Sequence, residues 1–252
     1  MLALNPGPVP PLAPLGDHRG WTTLPSASIR CSDGRLKRPL MLLVHGRSQG
    51  VIPAELQTLA GELEQRRCSP VQLLALSGGL QVPTPAFCAA AAERGGLLLA
   101  PLLLLPGAHV RQDLPGIAAR WRALGTLERL PFLGAWPCWQ QQLAALVAEQ
   151  TGRSRSVLWL HHPVEGELAL RYRDHLVRRC GGAALAASFT DPASGLPLPQ
   201  RQDQIWQPLA LAANRLTETL ELLPLRDAEL RPPLLQQPAL RRFLLERLAA
   251  LP

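Results

Sequence analysis

The chain has 252 residues, 47% of them hydrophobic and only 4% aromatic, and carries a formal net charge of +7. That is apolar material for one large domain or two small ones. The basic residues are dispersed, with no basic run interleaved with aromatics, which argues against a nucleic-acid surface and leaves polyanionic small molecules as the partners the charge favours. The excess is nearly all arginine, Lys37 being the only lysine. Five cysteines are scattered without any CxxC spacing, which fits reduced thiols in a cytoplasmic protein rather than a disulfide framework or a zinc knuckle. The first 15 residues lack the positive start of a signal peptide, and the oily run at 97–105 is too short to cross a bilayer as a helix. Neither a membrane nor nucleic acid is expected as a partner, and a homodimer is left open.

In chain order, residues 1–38 form a Pro-rich, flexible N-terminal arm that contains His18. The oily run at 40–44 is a strand. Residues 53–66 are a helix, with Leu56, Leu59, Ala60 and Leu63 on one face. Strand 71–76 and helix 85–94 follow, the helix opened by Pro85 and closed by Gly95. Residues 97–105 are a third strand, read as buried and parallel. Asp113 caps the next helix, which turns Ile117, Trp121 and Leu124 inward and stops at Gly125. A fourth strand is expected at 129–135 and a helix at 138–150.

The cycle then restarts. Strand 156–160 ends in His161-His162, and helix 165–179 carries Leu168, Tyr172 and Leu176 on one face. A strand at 183–189, a Pro-rich loop at 190–203, a strand at 205–212 and helices at 215–222 and 238–250 complete the chain. Alternating units of this length give parallel sheets with helices on both faces. The fold class is therefore α/β, two sequential doubly wound halves around a cleft, with an N-terminal half at 39–152 that holds the candidate site and a degenerate C-terminal half at 153–252.

Two histidines stand where such sheets bind ligands, outside the carboxyl ends of strands. Leu40–Val44 delivers His45-Gly46, and the third strand delivers Pro106-Gly107-Ala108-His109, followed by Asp113-Leu114-Pro115. Either histidine alone fits a strand-end hydrogen bond. Together they form a candidate for holding a divalent metal or moving protons near neutral pH. Arg47 and Arg111 flank them. Ala75-Leu76-Ser77-Gly78-Gly79 loosely mimics a nucleophile elbow, with His45-Gly46 as an oxyanion-hole motif, but the first elbow glycine is alanine and the gap is short, so a serine hydrolase ranks last. His161-His162 reads as a vestigial strand end, His175 as a helix residue, and the tryptophans as core. Neither GxGxxG nor GxxxxGK[ST] is present, so no nucleotide cofactor is expected.

LLVHGRSQG at 42–50, PGAHVRQDLP at 106–115 and QPLALAANRLT at 207–217 resemble the sirohydrochlorin chelatases of CbiX type, the class II tetrapyrrole chelatases, over about residues 39–225. The resemblance implies insertion of Co2+ or Fe2+ into sirohydrochlorin without ATP, in cobalamin or siroheme biosynthesis. The divalent metal is then a substrate and the tetrapyrrole the partner. It implies His45 and His109 as catalytic and metal-binding residues, with Arg47 and Arg111 as anchors for the substrate's carboxylates. The chain departs from the pattern at Ser77, where the family carries a glutamate, and after His45, where Gly-Arg-Ser replaces Gly-Ser-Arg. In the second half the first histidine is His161 or His162, while Asn214 falls near the second. A non-catalytic relative that binds a tetrapyrrole or metal is the alternative.

Overall fold

The alternation of side chains along the oily strands decides how the layers stack. In the computed structural model, which describes residues 37–78, 82–122, 125–151, 155–186, 204–223 and 228–252, β1 (Leu40–Val44) is buried along its whole length. Leu40, Leu42 and Val44 face one core, while Met41 and Leu43 face another on the opposite side of the sheet. Such a strand needs helices on both faces. They come from α1 (Ala54–Arg67), β2 (Val71–Ala75), α2 (Pro85–Glu93), β3 (Leu97–Pro101), α3 (Leu114–Arg122) and β4 (Leu127–Arg129), which build an all-parallel sheet of order β2-β1-β3-β4.

After α4 (Pro137–Thr151) the pattern repeats with β5 (Ser156–His161), α5 (Glu167–Cys180), β6 (Ala183–Ala186), β7 (Gln204–Pro208), α6 (Arg215–Glu221), β8 (Glu229–Leu230) and α7 (Pro238–Ala249). The second sheet is also parallel, of order β6-β5-β7-β8. The registers match between halves. Leu43 pairs with Pro101 as Leu160 pairs with Pro208, so His45 and His162 occupy equivalent positions.

The two sheets share one core. Val157, Trp159 and Ile205 from the second sheet join Leu40, Leu42, Val44, Leu98 and Ala100 from the first, together with apolar residues of α1, α4, α5 and α7. The last helix of each half crosses over. α4 packs against α5 and β5, and α7 packs against α1, where Arg241 of α7 pairs with Glu62 of α1 at 2.6 Å.

Several sequence expectations shift. The third strand stops at Pro101 rather than 105. Leu102 and Leu103 stay buried but leave the sheet, because proline has no N–H to extend the ladder. The fourth strand lies at Leu127–Arg129, and Leu133–Ala135 is a 3-10 turn. The strand expected at 205–212 ends at Pro208 for the same reason as β3. Leu168 is 58% exposed, and α5 instead buries Ala169, Leu176 and Cys180. An apolar residue at a helix start does not set the buried face when the chain enters across a cleft. Asp113 is not a cap. It lies inside a π-turn, His109–Asp113, and its carboxylate is taken by a ring nitrogen instead. Cys68 is disulfide-bonded, against the expectation of reduced thiols, whereas Cys88, Cys138 and Cys180 are free. Cys68 has no nearby cysteine at a motif spacing to announce its bridge. The expectations for residues 1–36, His18, Leu124, 187–189 and 190–203 lie outside the described residues. No helix among the described residues is long and apolar enough to cross a membrane.

Arg67 fastens the crossover. Its side chain is fully buried. It donates from Nη1 to the carbonyls of Leu248 (2.9 Å) and Leu251 (2.8 Å), and from Nη2 to those of Arg38 (2.7 Å) and Pro252 (3.2 Å). Burial, with the Arg38 charge adding, pushes its pKa down to about 10, so it stays charged at neutral pH and its acceptors offset the desolvation. Arg67→Ala removes all four of these hydrogen bonds at once. It is expected to lower the urea unfolding free energy by about 2–4 kcal/mol; a loss under about 0.5 kcal/mol would remove Arg67 as the fastener.

Candidate functional site

The carboxyl ends of β1, β3 and β5 meet between the two sheets, and three imidazoles meet with them. His45 follows β1 directly. Gly46 behind it has φ +75, and a Cβ there would lie 2.6 Å from Ala75 Cβ and 2.7 Å from Ser77 Oγ; only glycine lets the chain turn this tightly against β2. The Ser77 N–H donates to the His45 carbonyl at 3.0 Å, and Ser77 Oγ donates to the Arg47 carbonyl. These bonds hold the His45 loop in place. They also answer the hydrolase alternative, because the hydroxyl is committed to a main-chain carbonyl rather than to a base.

His109 arrives from the other central strand. After Leu102–Leu105 the chain turns at Gly107 and winds into the π-turn, which leads into α3. The ring centroids of His45 and His109 are 4.8 Å apart, edge to face at 77°. Two imidazoles on one ion at metal–nitrogen distances of about 2.0–2.1 Å place their centroids about 5 Å apart, a separation close to the one here.

Hydrogen bonds fix both tautomers. His45 Nδ1 donates to the Gly46 carbonyl at 2.8 Å. His109 Nδ1 donates to Asp113 Oδ2 at 2.6 Å. A carbonyl and a carboxylate only accept, so in each neutral ring Nε2 is the unprotonated nitrogen, the one able to take a metal or a proton. Among the described residues, no three His, Cys, Asp or Glu side chains are grouped as a metal cage.

The third imidazole was undervalued by sequence reasoning. His162, from the second half, lies with its ring nearly parallel to that of His45, at 11° and 6.3 Å between centroids. Sequence left the choice between His161 and His162 open. The register makes His162 the counterpart of His45, while His161 is 1% exposed in β5, donates from Nδ1 to the His162 carbonyl and has no partner at Nε2. Burial, then the neighbouring charges of His45, His161 and Arg215, push the His162 pKa down to about 4. The repetition of an oily strand ending in histidine was the signal that could have found it. Asn214 serves its helix instead. Its side chain accepts from Thr217 N–H at 3.2 Å as the cap of α6.

Arg47 and Arg111 both reach across the cleft. Arg47 pairs with Glu218 of α6. Arg111 donates from Nη2 to the Glu165 carbonyl at 3.0 Å and lies over Gly166, whose φ is +89 and where a Cβ would come within 2.9 Å of Arg111 Nη1. The Arg47–Glu218 pair is 38% and 50% exposed, and such pairs are worth about 1 kcal/mol or less. His175 stands apart on α5, 3.4 Å from Gln140 Oε1.

The described residues form a two-lobed parallel α/β molecule with histidines at facing strand ends, and two solved structures share its fold. Sirohydrochlorin chelatase SirB from Bacillus subtilis subspecies spizizenii, solved in complex with cobalt, superposes with a TM-score of 0.56 and 18% identity over 84% of this chain and 94% of that one. CbiX, the terminal enzyme for siroheme biosynthesis in denitrifying bacteria, superposes with a TM-score of 0.53 and 20% identity over 85% of this chain and all of that one. No protein-family model and no curated protein matches the sequence.

The lowered pKa of His162 has a consequence for stability. Between about pH 6.5 and 4 the unfolded chain binds a proton there and the folded chain does not, so the contribution is complete above 6.5 and is lost as pH falls towards 4. Urea midpoints across pH 4–7 are expected to fall with acidification, and His162→Gln to flatten part of that slope, the rest remaining with His161, whose pKa burial also lowers. An unchanged slope in the variant would contradict the assignment.

Proposed function

We propose that this protein inserts a divalent metal, Co2+ or Fe2+, into sirohydrochlorin in the cytoplasm, with no nucleotide cofactor. The observation that carries the reading is the paired His45 and His109 rings, 4.8 Å apart at the carboxyl ends of two central strands, each with Nδ1 occupied and Nε2 left as the basic nitrogen. The fold shared with SirB and CbiX supports it.

Insertion requires two pyrrole N–H protons to leave as the metal enters. His45 receives the ion on Nε2. His109 accepts the first proton on Nε2, and the imidazolium so formed is hydrogen-bonded to the Asp113 carboxylate. Once the ion passes to the macrocycle nitrogens, the His45 lone pair is released and accepts the second proton. Arg47 and Arg111 hold substrate carboxylates through charge-assisted bonds. Imidazole takes several borderline ions, so Co2+ or Fe2+ is chosen by supply as much as by the site.

The absorbance change of sirohydrochlorin with Co2+ measures the reaction. His45→Ala and His109→Ala are each expected to slow it about 100-fold or more, and Asp113→Asn about tenfold through misorientation of the His109 ring. Wild-type rates in His45→Ala would end the proposal. Ser77 favours a second reading, a tetrapyrrole or metal carrier, because the family's glutamate is replaced by a hydroxyl already committed to the Arg47 carbonyl. A carrier would bind sirohydrochlorin yet show no rate above the metal-only control.

A further inference from the structure

The two arginines beside the imidazoles close the cleft in chemically different ways. Arg111 gives its N–H to a neutral main-chain carbonyl, that of Glu165. Arg47 gives its guanidinium to a carboxylate, that of Glu218 on α6 of the opposite half. A carboxylate is also the group that the substrate of the proposed reaction presents to Arg47. We infer that Glu218 is a displaceable plug: its carboxylate occupies Arg47 across the cleft mouth and gives way when a substrate carboxylate arrives.

The inference rests on the functional reading above and adds to it a residue that sets affinity. Three features of the structure make the exchange workable. The Arg47 main chain is fixed, its N–H donating to the Val51 carbonyl at 2.7 Å and its carbonyl accepting from Ser77 Oγ, so only the side chain has to change partners. Both members of the pair are substantially solvent-exposed, 38% and 50%, and exposed pairs are weak enough to break. Among the described residues Glu218 makes no other ion pair, and the cap of α6 is made by Asn214 and Thr217 without it. Displacement of Glu218 also removes one tie between the two halves. Substrate entry and cleft opening are then the same event, with Arg47 paired before and after.

The experiment measures metal-free sirohydrochlorin binding by its absorbance, and insertion kinetics with Co2+, for wild type, Glu218→Gln, Glu218→Asp, Arg47→Ala and the Arg47→Ala/Glu218→Gln pair. With the plug removed, Kd and KM are expected to fall about two- to fivefold, with a smaller change in kcat. Glu218→Asp keeps the charge on the helix but shortens the reach, and is expected to follow Glu218→Gln. Arg47→Ala is expected to weaken binding, and adding Glu218→Gln to it to change nothing further. Unchanged or weaker binding in Glu218→Gln overturns the plug, as does wild-type behaviour in Glu218→Asp, which would assign the effect to helix charge. Those results leave the chelatase reading intact as long as wild type binds and inserts. If wild type neither binds nor inserts, that reading falls and the plug with it.

Discussion

The contact between His45 and His162 exists because two sheets share one layer of helices. Neither half could bring these rings together alone. α4 leaves the first sheet to pack against α5 and β5, and α7 returns from the second sheet to α1. The central core that results draws on both sheets at once. With the sheets locked through their inner faces, the carboxyl ends of β1 and β5 have to face one another. The buried Arg67, gripping the end of α7 from the end of α1, makes that locking specific where apolar packing alone would leave the helix free to slide.

The site inherits its chemistry from this arrangement. Strand ends put polar side chains at a boundary between core and solvent, and the three imidazoles sample that boundary differently. His45 is exposed and His109 is half-buried beside a carboxylate, whereas His162 is desolvated by burial and lies near His45, His161 and Arg215. The same ring therefore has different chemistry at each place. His109 has its Nδ1 taken by the Asp113 carboxylate. His162 is arranged to stay neutral beside His45.

Much of the fold was legible because parallel strands buried on both faces are written as uninterrupted oily runs. β1, β2, β3 and β5 could be placed from Leu40–Val44, Val71–Ala75, Leu97–Pro101 and Ser156–His161 within a few residues. Their ends were not, since Leu102–Leu103 and Leu209–Ala212 are as buried as the strands they follow and hydropathy cannot separate a ladder from a buried loop. β4 and β8 are short edge strands with intermediate or exposed side chains, and there an oily pattern has nothing to report. The convergence of His45 with His109 could be anticipated from strand ends. For His162 the repeated oily strand ending in histidine was the available signal, but its distance from His45 depends on how one half sits on the other, a property set by the crossing of α4 and α7. The same reason hid Glu218 and Gly166, whose partners, Arg47 and Arg111, lie more than fifty positions away in the chain.

Ser77 bears on what kind of metal handling this cleft can perform. A carboxylate there would add a hard anionic ligand beside His45. The hydroxyl instead braces the loop that carries Arg47 and His45. What is left is a pair of imidazoles with no third His, Cys, Asp or Glu side chain grouped to complete a cage among the described residues. A resident ion needs about four ligands to stay. An ion that must depart for a macrocycle is better served by fewer, since each retained bond has to be broken at the moment of transfer. On the proposed reading the exposed His45 ring would hold the ion briefly, leaving the His109 nitrogen free to take a proton. If the proposed insertion is the reaction, the serine would lower the hold on the metal but leave in place the two basic nitrogens that the proton balance requires, and substrate affinity would rest with the arginines at the mouth.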